Sequence, residues 1–148
     1  MKSRKLDQLY RQVIMDHYKN PRNKGELPDS SVTIDLNNPT CGDQIHLHLK
    51  IDGDKITAAS FTGDGCSISM ASASMMTQSV VGHTEKEALE MSHQFSEMVQ
   101  GHAHEVIDDE GDVEALAGVA KFPARIKCAT LAWKAMEKAI YEKEASEK

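Results

Sequence analysis

The sequence predicts an α+β domain: a three-stranded antiparallel sheet with helices packed on one side. Three observations lead there. Apolar and polar residues alternate between Val32 and Phe61 with the period of half-buried strands. Asp52-Gly53-Asp54 interrupts that stretch as a hairpin turn. The segments on either side follow the 3.6-residue period of helices. With 148 residues the chain reads as one domain spanning residues 1–148. A domain of that size buries about 70% of its unfolded surface, so it needs no disulfide staple.

The first helix has Leu6, Leu9, Tyr10, Val13, Ile14 and Tyr18 along one face and ends at Asn20-Pro21. A polar Gly/Pro stretch, Asn23 to Ser30, leads to the strands. Val32, Ile34 and Leu36 mark the first, Ile45, Leu47, Leu49 and Ile51 the second, and Lys55 to Phe61 returns as the third. Ser67 to Val81, rich in Ala, Ser and Met, reads as a helix whose small residues let it sit close to the sheet. Thr84 and Glu87 form a capping box for the next helix, with Ala88, Met91, Phe95, Met98 and Val99 as its stripe. Gly101 to Asp112 reads as an exposed loop, and Val113 to Val119 as a short helical piece. Pro123 suits the first turn of a long last helix carrying Ile126, Ala129, Trp133, Met136 and Ile140. From Glu142 to Lys148 the charged tail is expected to fray.

Composition removes several function classes. A net charge of −6 is wrong for a nucleic-acid binder, which needs a basic face to replace phosphate counterions. The longest run of apolar residues and glycine, Ala115 to Ala120, is too short to span a bilayer. Lys2, Arg4 and Lys5 are followed by no apolar signal core, so the expected location is the cytoplasm. Three cysteines cannot all pair within one chain, and a reducing cytosol keeps them as thiols.

The placement of those cysteines carries more than their number. Cys41 and Asp43 lie in the loop joining the first two strands, and Cys66 follows the third. Cys128 sits in the second turn of the last helix, three residues after Arg125 and on the same face. In a meander the first loop and the end of the third strand share one sheet edge. Cys41, Asp43 and Cys66 can converge there, and a helix crossing that edge can bring Cys128. Three thiolates and a carboxylate suit tetrahedral zinc, or iron bound with sulfide. With no CxxC pair present, the spacing alone leaves open that these are two incidental loop cysteines and a small core residue.

Other polar features point less far. His46 and His48 share a strand face and His102 and His104 have the same spacing. Either pair has the makings of a chelate, and the plainer expectation is a solvent face and a loop. The methionines at 70, 75 and 76 read as core, and Asp108-Asp109-Glu110 as a solvated loop too sparse in ligands for calcium. No hydrolase signature surrounds any cysteine, so cysteine hydrolysis is the weaker alternative.

Four ordered blocks resemble the iron–sulfur-cluster assembly scaffolds, IscU and the N-terminal domain of NifU, and most closely the SufU branch. They are His17 to Asn23, Asn38-Pro39-Thr40-Cys41-Gly42-Asp43, Gly63-Asp64-Gly65-Cys66-Ser67-Ile68-Ser69, and Arg125-Ile126-Lys127-Cys128-Ala129. Lys127 stands where IscU-type scaffolds have a histidine, and their Leu-Pro-Pro-Val-Lys chaperone motif is absent. The stretch from Cys66 to Cys128 is also longer. The resemblance implies the SufE/NifU-like fold and a zinc-dependent sulfurtransferase with Zn2+ on Cys41, Asp43, Cys66 and Cys128. It implies that Cys41 accepts persulfide sulfur from a SufS-type, pyridoxal-phosphate-dependent cysteine desulfurase, for use by downstream Suf cluster-assembly proteins. The alternative within the family is a scaffold that holds a [2Fe–2S] cluster. Four anionic ligands leave a zinc site with excess negative charge. Arg125, one turn from Cys128, is the residue expected to offset it and steer a thiolate.

Overall fold

The computed structural model describes residues 2–38, 42–104, 107 and 112–146, with side chains from residue 11 to 145 within those spans. The elements run α1 (Lys2–Lys19), β1 (Val32–Asn38), β2 (Asp43–Asp52), β3 (Lys55–Asp64), α2 (Ser67–Val80), α3 (Glu85–Val99), a 3-10 helix (Val113–Lys121) and α4 (Pro123–Ser146). The sheet is an antiparallel meander in the order β1-β2-β3. In β2 the odd-numbered residues are buried and the even-numbered ones more exposed, so alternation alone separates a core face from an open face. α4 packs against β1 and β2, and α2 packs against β3 and α4.

α2 is buried from Ser69 to Thr77, which is why its residues are small. Ser72 Oγ donates to the Ala129 carbonyl at 2.5 Å and accepts from Trp133 Nε1 at 3.2 Å, so a polar residue between α2 and α4 leaves no unmet group. Trp133 stacks on Phe95 with ring centroids 4.6 Å apart, tying α4 to α3. The capping box is present in both directions, Glu87 N–H to Thr84 Oγ1 and Thr84 N–H to Glu87 Oε1.

The structure corrects several expectations. Tyr18 is 42% exposed, while His17 beside it is fully buried. Its Nδ1 lies 2.8 Å from Ser74 Oγ and its Nε2 2.8 Å from Asp112 Oδ2, so both ring nitrogens are satisfied and burial is affordable. Within the stretch read as a plain linker, Lys24 forms a parallel bridge to Phe61, and Gly25 and Asn23 exchange backbone hydrogen bonds with the same residue. The piece expected over Val113 to Val119 is a 3-10 helix running two residues further. α4 runs through Ser146, and Lys143 within it donates to the Gly53 carbonyl and to Glu85. The acidic run 108–110 and the side chains of Leu6, Leu9 and Tyr10 lie outside the described residues.

Candidate metal centre

The end of the sheet where β1 hands over to β2 is also where β3 ends. Asn38 pairs with Asp43, and Gln44 with Asp64. Asp43 therefore arises on the core face at the start of β2, beside the chain that leaves β3 for α2. Its side chain is fully buried. Asp43 Oδ1 accepts the Cys66 backbone N–H at 2.9 Å, which fixes the carboxylate against the second cysteine loop.

Two glycines permit this approach. A Cβ at position 63 would stand 2.1 Å from the Gln44 carbonyl oxygen, and one at position 65 would stand 2.6 Å from Asp43 Oδ1. Neither position accepts a side chain without moving its neighbour. Cys66 then caps α2, and its Sγ accepts the Ser69 N–H at 3.5 Å, so the positive end of the helix faces the sulfur. Cys128 comes from α4, is fully buried, and accepts Asn38 Nδ2 at 3.7 Å. Cys66 and Cys128 are both free thiols.

One donor atom from each of Asp43, Cys66 and Cys128 lies within 4.8 Å of the others, the single such convergence of three metal-donor side chains among the described residues. Asp43 Oδ2 is buried there without a hydrogen-bond partner. A buried carboxylate oxygen left unmet costs free energy unless a cation faces it. Two sulfurs and a carboxylate oxygen at this spacing suit zinc or another thiophilic ion.

Of the four residues expected as ligands, Cys41 lies outside the described residues; its flanks Asn38 and Gly42 are joined by a 2.8 Å backbone hydrogen bond. Arg125 is exposed on the first turn of α4. It lines a cleft of about 440 Å³ together with Ser67 and Ile68, the residues that follow Cys66, and with Phe122. Sequence reasoning assigned Asn38 no role. The signal was present: Val32, Ile34 and Leu36 set the core-facing register of β1, and Asn38 continues it with a polar group. The histidine pairs go separate ways from this centre. His102 lies 2.8 Å from Glu97 and His104 3.8 Å from Glu114, while His46 and His48 stand on the open face of the sheet.

Fold and site together define a small α+β domain presenting cysteines and a carboxylate at one sheet edge. The chain belongs to the NifU-like N-terminal domain family, which it matches over residues 9–148. It is 63% identical to the zinc-dependent sulfurtransferase SufU of Bacillus subtilis, over 94% of each chain. It is 53% identical to the iron–sulfur cluster assembly scaffold protein IscU of Streptococcus pyogenes, over 92% of this chain and 85% of that one. A solved structure of a hypothetical protein, 51% identical, superposes with a TM-score of 0.85 over 91% of this chain and 98% of the other. Among the described residues no helix is long and apolar enough to cross a membrane.

Proposed function

We propose that this chain is a zinc-dependent sulfurtransferase that takes persulfide sulfur from a SufS-type cysteine desulfurase for iron–sulfur cluster biogenesis. The observation that carries the reading is the convergence of Asp43, Cys66 and Cys128 around an unmet carboxylate oxygen. The identity to a relative named for this activity supports it. Asp43, Cys66, Cys128 and Cys41 would hold the zinc, and the ion would keep its sulfur ligands as thiolates.

The rest of the chemistry belongs to the chain. A free cysteine near pH 7 is only a few per cent ionised, so a sulfur acceptor has to be kept anionic until the donor arrives. Cys41 is the acceptor, in the loop between β1 and β2. Its thiolate attacks the outer sulfur of the donor's persulfide. The donor's S–S bond breaks, its electron pair leaves on the donor cysteine, and a new S–S bond forms on Cys41, with no net oxidation. Arg125 stays protonated at any working pH and attracts the anionic sulfur without competing for the ion. The desulfurase supplies the pyridoxal phosphate, and downstream Suf proteins take the sulfur. Free thiols of this kind belong in the reducing cytoplasm.

A second reading, a scaffold holding a [2Fe–2S] cluster, has the name of the Streptococcus relative behind it. Freshly purified protein separates the two, being colourless with zinc or brown with a cluster. The transfer reading is tested by incubating zinc-loaded protein with desulfurase and cysteine and mapping added sulfur by mass spectrometry. Sulfur on Cys41, with stimulation lost in Cys41→Ala, is the expected result. Sulfur confined to Cys66 or Cys128, or full stimulation by Cys41→Ala, would overturn it.

A further inference from the structure

The sheet face turned away from the helices carries a second set of donors. Core-facing residues of β2 are odd-numbered, so His46 and His48 stand together on the opposite side from Asp43. β1 holds both rings by the same nitrogen. His46 Nδ1 is 2.6 Å from Asp35 Oδ1, and His48 Nδ1 is 3.0 Å from Thr33 Oγ1. Each is the directly opposite residue in register. A ring anchored through Nδ1 keeps Nε2 as its remaining donor atom, the way carboxylates and hydroxyls orient histidines that bind metal.

His48 Nε2 is shut off from solvent and has no hydrogen-bond partner. Across from it on β3, Ser60 is 8% exposed, and its hydroxyl is likewise buried and unpartnered. Buried polar atoms are nearly always met by protein, water or an ion. Two unmet atoms at facing register positions mark a place where a further group completes the structure. His46 lies one ladder step along the same strand and lines an adjoining cleft of about 290 Å³ with Asp35, Asn37 and Gln44.

We infer that His46 and His48 form a second metal site, taking a borderline divalent cation of the zinc and nickel class through their Nε2 atoms. Residues i and i+2 of a strand are about 6.5–7 Å apart at Cα. Metal–nitrogen bonds are about 2.0–2.1 Å, so the two rings have to lean toward each other for both Nε2 atoms to reach one ion. Imidazoles select this class over magnesium and calcium. Ser60 and water complete the shell, and such a two-imidazole site exchanges its ion more readily than one built of thiolates.

The test uses zinc-loaded protein carrying one zinc per chain, titrated with Ni2+ by calorimetry and followed by NMR line broadening. The site predicts one further equivalent bound, with broadening centred on Thr33–Asp35, Gln44–Lys50 and Ser60–Thr62. His46→Gln, an exposed substitution that leaves the fold intact, weakens nickel at least tenfold, and the His46→Gln, His48→Gln pair abolishes the second equivalent. Zinc content stays at one per chain in both. Equal nickel uptake by the double variant, broadening confined to the cysteine end of the sheet, or no uptake with a water bridging His48 and Ser60 would overturn the inference.

Discussion

Replacing Gly65 with alanine adds one methyl group and directs its whole effect at Asp43. The new Cβ would stand 2.6 Å from Asp43 Oδ1 and 3.1 Å from its Cβ and Cγ, closer than packed atoms tolerate. Gly65 is not among the glycines with positive φ, so the backbone accepts alanine and adds no strain of its own. Either the clash stays, at about 1–3 kcal/mol for overpacking, or the carboxylate swings away. Swinging away gives up the Cys66 N–H bond, at about 1.5–3 kcal/mol for a hydrogen bond to a charged group. The two are alternative outlets for one strain and do not add. A carboxylate that swings away is out of place for the ion, and a penalty of about 1–3 kcal/mol on the bound state corresponds to roughly 5- to 150-fold weaker zinc binding. Competition against a chromogenic chelator measures this. The zinc-dependent part of the thermal midpoint should shrink by about 2–4 °C per kcal/mol lost. Gly118→Ala is the control, since its Cβ would meet nothing within 4 Å and its φ is not positive. If Gly65→Ala holds zinc within threefold of the parent while Gly118→Ala is silent, Asp43 is not a ligand and the reasoning fails. Equal losses in both would show that the assay reads the fold instead of the site.

Arg125→Ala should keep one zinc per chain and change stability by less than about 1 kcal/mol, as expected for an exposed charge. It should nonetheless lose most desulfurase stimulation, with Arg125→Lys recovering part; zinc content and turnover on the same preparations decide this. Glu87 is held below its ordinary value of 4.5, first by the Thr84 backbone N–H and then by the Thr84 hydroxyl. Because its folded value is depressed, its contribution is complete above pH 4.5 and is lost as pH falls through the lowered value. Denaturant melts should therefore show the parent more stable than Glu87→Gln near neutrality, with the gap closing in acid.

The meander is legible in the sequence because strand alternation and the Asp-Gly-Asp turn are local signals, and so is the Thr84 capping box. The same alternation carries part of the site, since Asn38 and Asp43 are polar residues in core-facing register and so had to find partners inside. What stays out of reach depends on contacts distant in sequence. His17 meets Ser74 and Asp112, 57 and 95 positions away, and no local period distinguishes it from Tyr18, which the helical stripe favoured. The role of Gly65 is similarly hidden. A glycine in a loop suggests a turn, whereas here it clears space for a carboxylate from another strand. The 3-10 geometry of Val113–Lys121 escapes as well, because its apolar spacing serves either helix type.

On the proposed function, one thiolate and carboxylate centre at this sheet edge holds the ion that serves sulfur transfer. Zinc X-ray absorption on protein loaded with a single equivalent measures its first shell directly. Cys41, Cys66, Cys128 and Asp43 predict about three sulfur neighbours near 2.3 Å and one oxygen near 2.0 Å. A shell dominated by imidazole nitrogen would rule out this ligand set.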